Sequence, residues 1–286
     1  NRGFHIVQNS YSNYNYTPFS VASILNMSYL NLKDTNRKEA DVKYVYEVIR
    51  DNQTLQYLTA NGYKFYNHSV FNFNGNPART EATFLPDKAR LITSQTFLSR
   101  MDRDSGFNLI TRFKSKAALK RITYFNRQNN NYSYDLTWSL AEERTKKPKF
   151  VYTHLMMPHY PYYYDKYGKE QPYETLMEGK QVDTKAYTEY LQYANKKLLS
   201  LIDHIRTSSA APPIIIFMGD HGFRHFEKPI ERRYYFMNMN ALYMPQKNYT
   251  AFADSSSTVN HFRKILNTQF NLQMPLHKDS SIYLKD

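Results

Sequence analysis

The run Ile214-Ile215-Ile216-Phe217-Met218 contains no polar residue and is closed by Gly219-Asp220-His221-Gly222. An unbroken apolar run of this length, unlike an alternating one, suits a strand covered on both faces, as in a parallel sheet. Ahead of it, Tyr187, Leu191, Ala194, Leu198, Leu201 and Ile205 recur at helical spacing. They give an amphipathic helix of about five turns, and Pro212-Pro213 separates it from the strand. Helix, short break and buried strand form the rhythm of an α/β fold, here a doubly wound, mostly parallel sheet flanked by helices. The 286 residues, 41% of them hydrophobic, suffice for a full core. No repeat or low-complexity linker marks a boundary, so 1–286 reads as one domain.

The rest of the chain fits that plan. Phe4-His5-Ile6-Val7 is strand-like, and the chain enters it without a leader, as a piece cut from a longer protein would. Thr17-Pro18, followed by Phe19, Val21, Ala22, Ile24, Leu25, Met27 and Leu30, predicts a buried helix with Thr17 at the cap and Pro18 first inside. Asp41 to Leu58 predicts one further helix, Tyr63 to Phe73 a strand, and Phe150 to Thr153 a short strand after the Lys147-Pro148 breaker. Past Asp220, a strand-like Tyr234 to Met244 and a helix over Thr258 to Asn267 are expected to form a small C-terminal lobe.

Charge and composition narrow the chemistry. Lys plus Arg exceeds Asp plus Glu by 13, which favours anionic partners: phosphorylated or sulfated substrates, acidic lipid head groups or nucleic acid. Nucleic acid ranks last, because the basic residues are spread along the chain without an arm or stripe. The absence of cysteine excludes disulfides, thiol catalysis and zinc knuckles. No run approaches the eighteen or so apolar residues of a spanning helix. The 27 tyrosines and 18 phenylalanines read as core and half-buried surface ahead of any stacking role.

In open α/β sheets, ligands bind beyond the carboxyl ends of the strands. Asp220 and His221 stand at such an end and offer one hard oxygen and one imidazole nitrogen, a pairing suited to zinc or manganese. Taken alone, the pair reads equally as a solvated turn. Thr17 at a helix start faces unpaired N–H groups and the positive end of the dipole, which would favour an alkoxide and an anionic substrate. A Thr-Pro pair is also an ordinary way to begin a helix. His154 and His159, in Thr153-His154-Leu155-Met156-Met157-Pro158-His159-Tyr160-Pro161, read singly as packed residues first and as ligands second. Arg224 and His225 either bind an anion or face water.

Together these motifs resemble the alkaline phosphatase and sulfatase superfamily. Thr17-Pro18-Phe19-Ser20-Val21-Ala22-Ser23 is similar to the sulfatase signature Cys-x-Pro-Ser-Arg-Ala-Ser, with Ser20, Ala22 and Ser23 matching. Gly219-Asp220-His221-Gly222 looks like the superfamily's metal-binding Asp-His-Gly, and Pro158-His159-Tyr160-Pro161 like its Pro-His-x-Pro segment, whose histidine meets the substrate's anionic group. The resemblance implies an alkaline phosphatase-like fold and a metal-dependent hydrolase or transferase. Thr17 would be its nucleophile and a metal contact, Asp220 and His221 its metal ligands, and His159, His154 and Arg224 its substrate contacts. The cofactor would be one divalent ion, zinc or manganese ahead of calcium or magnesium.

Thr17 replaces the signature cysteine and Val21 its arginine, so formylglycine chemistry is not expected. Phosphate esters then come ahead of sulfate esters, as in phosphoglycerol and phosphoethanolamine transferases, with a membrane lipid or cell-envelope glycan as partner. Family members also carry a metal-binding Asp some tens of residues before the nucleophile, whereas the sixteen residues before Thr17 contain no acid. The expectation is therefore an extracytoplasmic protein whose first strand and membrane anchor lie upstream, with weak metal binding by these residues alone. The alternative from another class is a noncatalytic, basic binding domain of the same fold that recognises anionic glycans or lipid head groups.

Overall fold

The computed structural model describes residues 2–80, 120, 123–177, 182–252 and 255–285. The architecture is mixed α/β. In chain order it runs β1 (His5–Ile6), β2 (Asn9–Tyr11), α1 (Thr17–Asn26), α2 (Glu39–Arg50), α3 (Gln53–Ala60), β3 (Lys64–His68), α4 (Phe125–Glu142), β4 (Lys149–Thr153), α5 (Tyr173–Met177), α6 (Thr184–Ser208), β5 (Ile215–Met218), β6 (Asn240–Tyr243), β7 (Ser255–Ser257) and α7 (His261–Phe270). Short 3-10 turns precede β6, at Arg232–Tyr235, and α7, at Thr258–Asn260.

The strands form three small sheets. β3 and β4 run parallel, as do β2 and β7, while β6 lies between β1 and β5 and is antiparallel to both. The apolar strand therefore differs from the parallel setting expected for it: Ile215 pairs with Tyr243 and Met218 with Asn240 in antiparallel register, and all four of its residues are half-buried. An apolar run records that a strand is covered, not the direction of its neighbour. The same pairing removes the separate C-terminal lobe. β6 enters the sheet of β1 and β5, and Phe262, Ile265, Leu266 and Leu284 share one core with Phe19, Leu25, Val45 and Leu242.

α1 forms because Pro18 sits in its first turn and every residue from Phe19 to Leu25 is buried, so the helix is enclosed on all sides. Its cap is Tyr16, in extended conformation, and Thr17 is the first helical residue. The Thr17 hydroxyl is thus not used as a cap. The helix stops at Asn26 because Met27 turns left-handed at φ 53°, its N–H bonding to the carbonyls of Ile24 and Ser23. The single helix expected over Asp41 to Leu58 is two, split where the Asn52 side chain accepts from Leu55 N–H and caps α3.

α4 has no counterpart among the expected elements, since its buried face is largely polar: Asn129, Asn130, Ser133 and Thr137. Two of these, Thr137 and Asn130, brace β3, β4 and the loop beyond. Thr137 Oγ1 lies 2.9 Å from His68 Nδ1 and 2.7 Å from Thr153 Oγ1. Asn130 holds the Met156 backbone twice, donating to its carbonyl at 3.0 Å and accepting from its N–H at 2.6 Å.

The stretch before α1 is fastened by residues near position 280. Asn13 Nδ2 donates to Ser280 O at 2.8 Å, Ile282 N–H to Asn13 O at 2.8 Å, and Ser281 Oγ to Ser12 O at 2.7 Å. Asn15 pairs with Leu284 in both directions, at 3.1 and 2.8 Å. Ser12, Asn13 and Asn15 are all but fully buried, and these bonds satisfy groups that water cannot reach.

Two buried histidines outside the site contribute to the acid response. Burial, with Lys264 adding to it, pushes His261 down to about 3, and burial with Arg79 pushes His68 down to about 4. Both are neutral when folded and regain the ordinary value near 6.5 when unfolded, so the unfolded chain takes up more protons. Their contribution to stability is complete above about pH 6.5 and is lost as pH falls toward 4. Thermal unfolding followed by circular dichroism should show a Tm that is flat from pH 8 to 7 and declines below 6.5, with a shallower decline in His261→Gln. A Tm constant down to pH 4.5 would contradict this account.

Candidate active site

The Asp-His turn is built by its neighbours. Gly219 N–H donates to Met239 O at 2.8 Å, and Asn238 Nδ2 donates to Gly219 O at 2.5 Å, which fixes the turn to the chain entering β6. His221 Nδ1 lies 2.7 Å from Gly222 O. A carbonyl can only accept, so Nδ1 carries a proton and Nε2 is the ring nitrogen left to the site. That Nε2 is 3.2 Å from Thr17 Oγ1 and 3.6 Å from Asp220 Oδ2. Residues 204 positions apart thus meet, a hydroxyl, an imidazole and a carboxylate around one point.

Electrostatics draws the other predicted residues into the same group. Burial pushes the Asp220 carboxyl up, but His221, His154 and a hydrogen bond from Thr17 together outweigh it and hold the group below the usual carboxylate range. Asp220 is therefore an anion at neutral pH. Burial pushes His154 down, and His221 and His159 add to that against the opposing pull of Asp220. His154 is neutral, its ring edge-on to Phe71 and its Nδ1 3.5 Å from Tyr152 Oη. His159 is exposed, and its Nδ1 donates to Tyr160 O at 2.5 Å.

Arg224 behaves differently. Its guanidinium carbon lies 4.5 Å above the ring of Tyr16, the residue before Thr17, and among the described residues it forms no ion pair with Asp220. Its Nε is buried with no acceptor. His225 is a fourth imidazole of the cluster, pushed down by burial and then by Arg224, His159 and His221. The sequence signal for it is its position four residues after His221, one that a solvent-facing histidine shares.

Residues 3–262 match the sulfatase family. The chain belongs to the sulfatase family. Among solved structures it is similar to the C-terminal periplasmic domain of EcEptC from Escherichia coli, with 13% identity and a TM-score of 0.51 over 93% of this chain and 70% of that one. The zinc complex of the same domain aligns with 12% identity and a TM-score of 0.50 over 93% and 71%. A comparison with curated protein sequences found no match. At these identities the likeness is one of fold. Among the described residues of this sulfatase-family chain, no helix is long and apolar enough to cross a membrane.

The donors suit a divalent ion in part. A carboxylate oxygen, an imidazole nitrogen and a hydroxyl are the mixture that zinc or manganese takes. Among the described residues no group of three or more His, Asp or Glu is disposed to hold an ion, so in this sulfatase-family chain Asp220 and His221 are the side chains beside Thr17 that fit one.

Proposed function

We propose that this member of the sulfatase-like hydrolases and transferases is metal-dependent, acts on phosphate esters and uses Thr17 as its nucleophile. The observation that carries the reading is the 3.2 Å approach of Thr17 Oγ1 to a His221 Nε2 whose opposite nitrogen is committed to Gly222. Asp220, His221 and Thr17 would hold the ion, which lowers the hydroxyl pKa and offsets charge on the phosphoryl oxygens. With Nδ1 committed to Gly222 O, Nε2 is the one His221 lone pair available to the ion, so the Thr17 proton would pass to Asp220, whose carboxylate accepts a hydrogen bond from the Thr17 hydroxyl and keeps a second oxygen for the ion. Thr17 Oγ1 then attacks phosphorus, the bond to the leaving alcohol breaks, and the phosphoryl group rests on Thr17. Water or an acceptor alcohol attacks that ester in a second step and restores the hydroxyl. The exposure of His159 supports a role on the substrate's nonbridging oxygens, with His154 near it and Arg224 at the Tyr16 side.

A phosphate preference follows from a hydroxyl standing where sulfatases place the precursor of formylglycine. The periplasmic origin of the EcEptC domain supports an extracytoplasmic setting, tethered at a membrane in the full-length protein, and its zinc complex supports zinc. The net charge of +13 suits an anionic lipid or envelope glycan as partner.

The test uses the full-length protein with an aryl phosphodiester, an aryl phosphomonoester and an aryl sulfate, after chelation and after reloading with zinc or manganese. A phosphate ester should turn over at least about tenfold faster than the sulfate, with activity lost on chelation and restored by the ion. Preference for the sulfate, or turnover indifferent to chelation, sinks the proposal. No turnover and no stoichiometric metal by elemental analysis would favour the noncatalytic binding domain.

A further inference from the structure

α1 carries a second polar side chain toward the Asp-His turn. Ser20 lies one turn beyond Thr17, on the same face of the helix, and is fully buried. Its Oγ donates to the backbone carbonyl of Asp220 at 2.5 Å, across 200 residues of sequence. The adjoining Gly219 is gripped from the other side by Asn238 and Met239. The residue bearing the carboxylate, and next to it the imidazole, is therefore bolted to the helix that bears Thr17.

We propose that Ser20 is a positioning residue that sets the distance between Thr17 Oγ1 and His221 Nε2. The inference rests on the reading of Thr17 and His221 given above. Without the Ser20 hydroxyl, the Asp220 carbonyl loses its donor from α1. The turn then keeps its anchors to Asn238, Met239 and Tyr235 but loses its backbone tether to α1, and helix and turn relax apart. A misplacement of about 1 Å between reacting groups costs on the order of 100-fold in rate.

Ser23 supplies a matched control. It is also fully buried on α1, and its Oγ also donates to a backbone carbonyl, that of Ser28 at 2.8 Å, but away from the turn. Ser20→Ala and Ser23→Ala should lower Tm comparably. Only Ser20→Ala should reduce kcat on the aryl phosphodiester, by about 10- to 100-fold, with KM within about twofold of the parent. Only Ser20→Ala should shift the ¹H–¹⁵N correlations of the His221 ring in the resting protein. Equal kcat values for the two variants with unmoved His221 signals would overturn the proposal. Should the parent and Thr17→Ala prove equally inactive, the nucleophile reading fails, and the ring signals alone decide: a shift confined to Ser20→Ala upholds the tether, and its absence refutes it.

Discussion

Replacing Thr17 with Ala is expected to lower turnover of the aryl phosphodiester by roughly 10³-fold or more, because the oxygen we propose as nucleophile is removed. The fold should survive. Thr17 is the first residue of α1 and makes no capping bond, and alanine is a good helix former, so the stability change should stay below about 1 kcal/mol. Thr17→Ser keeps the oxygen and sheds only a methyl group, so it should retain activity that Thr17→Ala lacks. A covalent phosphoryl-threonine recovered from acid-quenched parent protein, and absent from Thr17→Ala, would identify the intermediate directly. Parent-like turnover in Thr17→Ala would remove Thr17 from the chemistry.

Gly222→Ala should be the most disruptive single-atom change near the site. A Cβ at that position would overlap the carbonyl oxygen of Tyr234 and come within 2.8 Å of Met237 O and Tyr235 C, all backbone atoms that cannot swing aside. Gly222 N–H also bonds Tyr235 O at 2.9 Å, so the two stretches of chain are held at that separation. Overpacking of this kind costs about 2–3 kcal/mol. The displaced residue is also the one whose carbonyl fixes the His221 ring. We therefore expect a lower Tm together with a loss of kcat in the protein that remains folded. Gly62→Ala is the comparison, because it meets no atom within 4 Å and suffers only from its φ of +85°. It should cost about 1 kcal/mol and leave turnover unchanged. A Gly222→Ala protein with parent-like Tm and kcat would contradict the geometry.

The sequence made the chemistry of the site more legible than its framework. Thr17, Asp220 and His221 are exposed to inference because hydroxyl, carboxylate and imidazole each sit where an element begins or ends. The coverage of the Ile215–Met218 strand was legible too. Its antiparallel partner was not, since β6 arrives from a segment whose apolar pattern carries no direction. α4 escaped notice because four of its seven buried positions are Asn, Ser and Thr, and the partners of Asn130 and Thr137 are a histidine, a threonine and a loop distant in sequence. Ser20 matched a motif without disclosing its partner. The crowding at Gly222 depends on a carbonyl twelve residues on, which no local pattern encodes.

The fastening of residues 12–15 by residues 280–284 bears on how the molecule comes into being. A chain emerging from the ribosome in order presents Asn13 and Asn15 well before their acceptors and donors, which are synthesised some 269 residues later. Contacts so distant in sequence close slowly. The platform on which Thr17 stands is thus among the last parts completed, and a nascent chain stalled before Ser280 would lack the bonds that fasten residues 12–15 ahead of it.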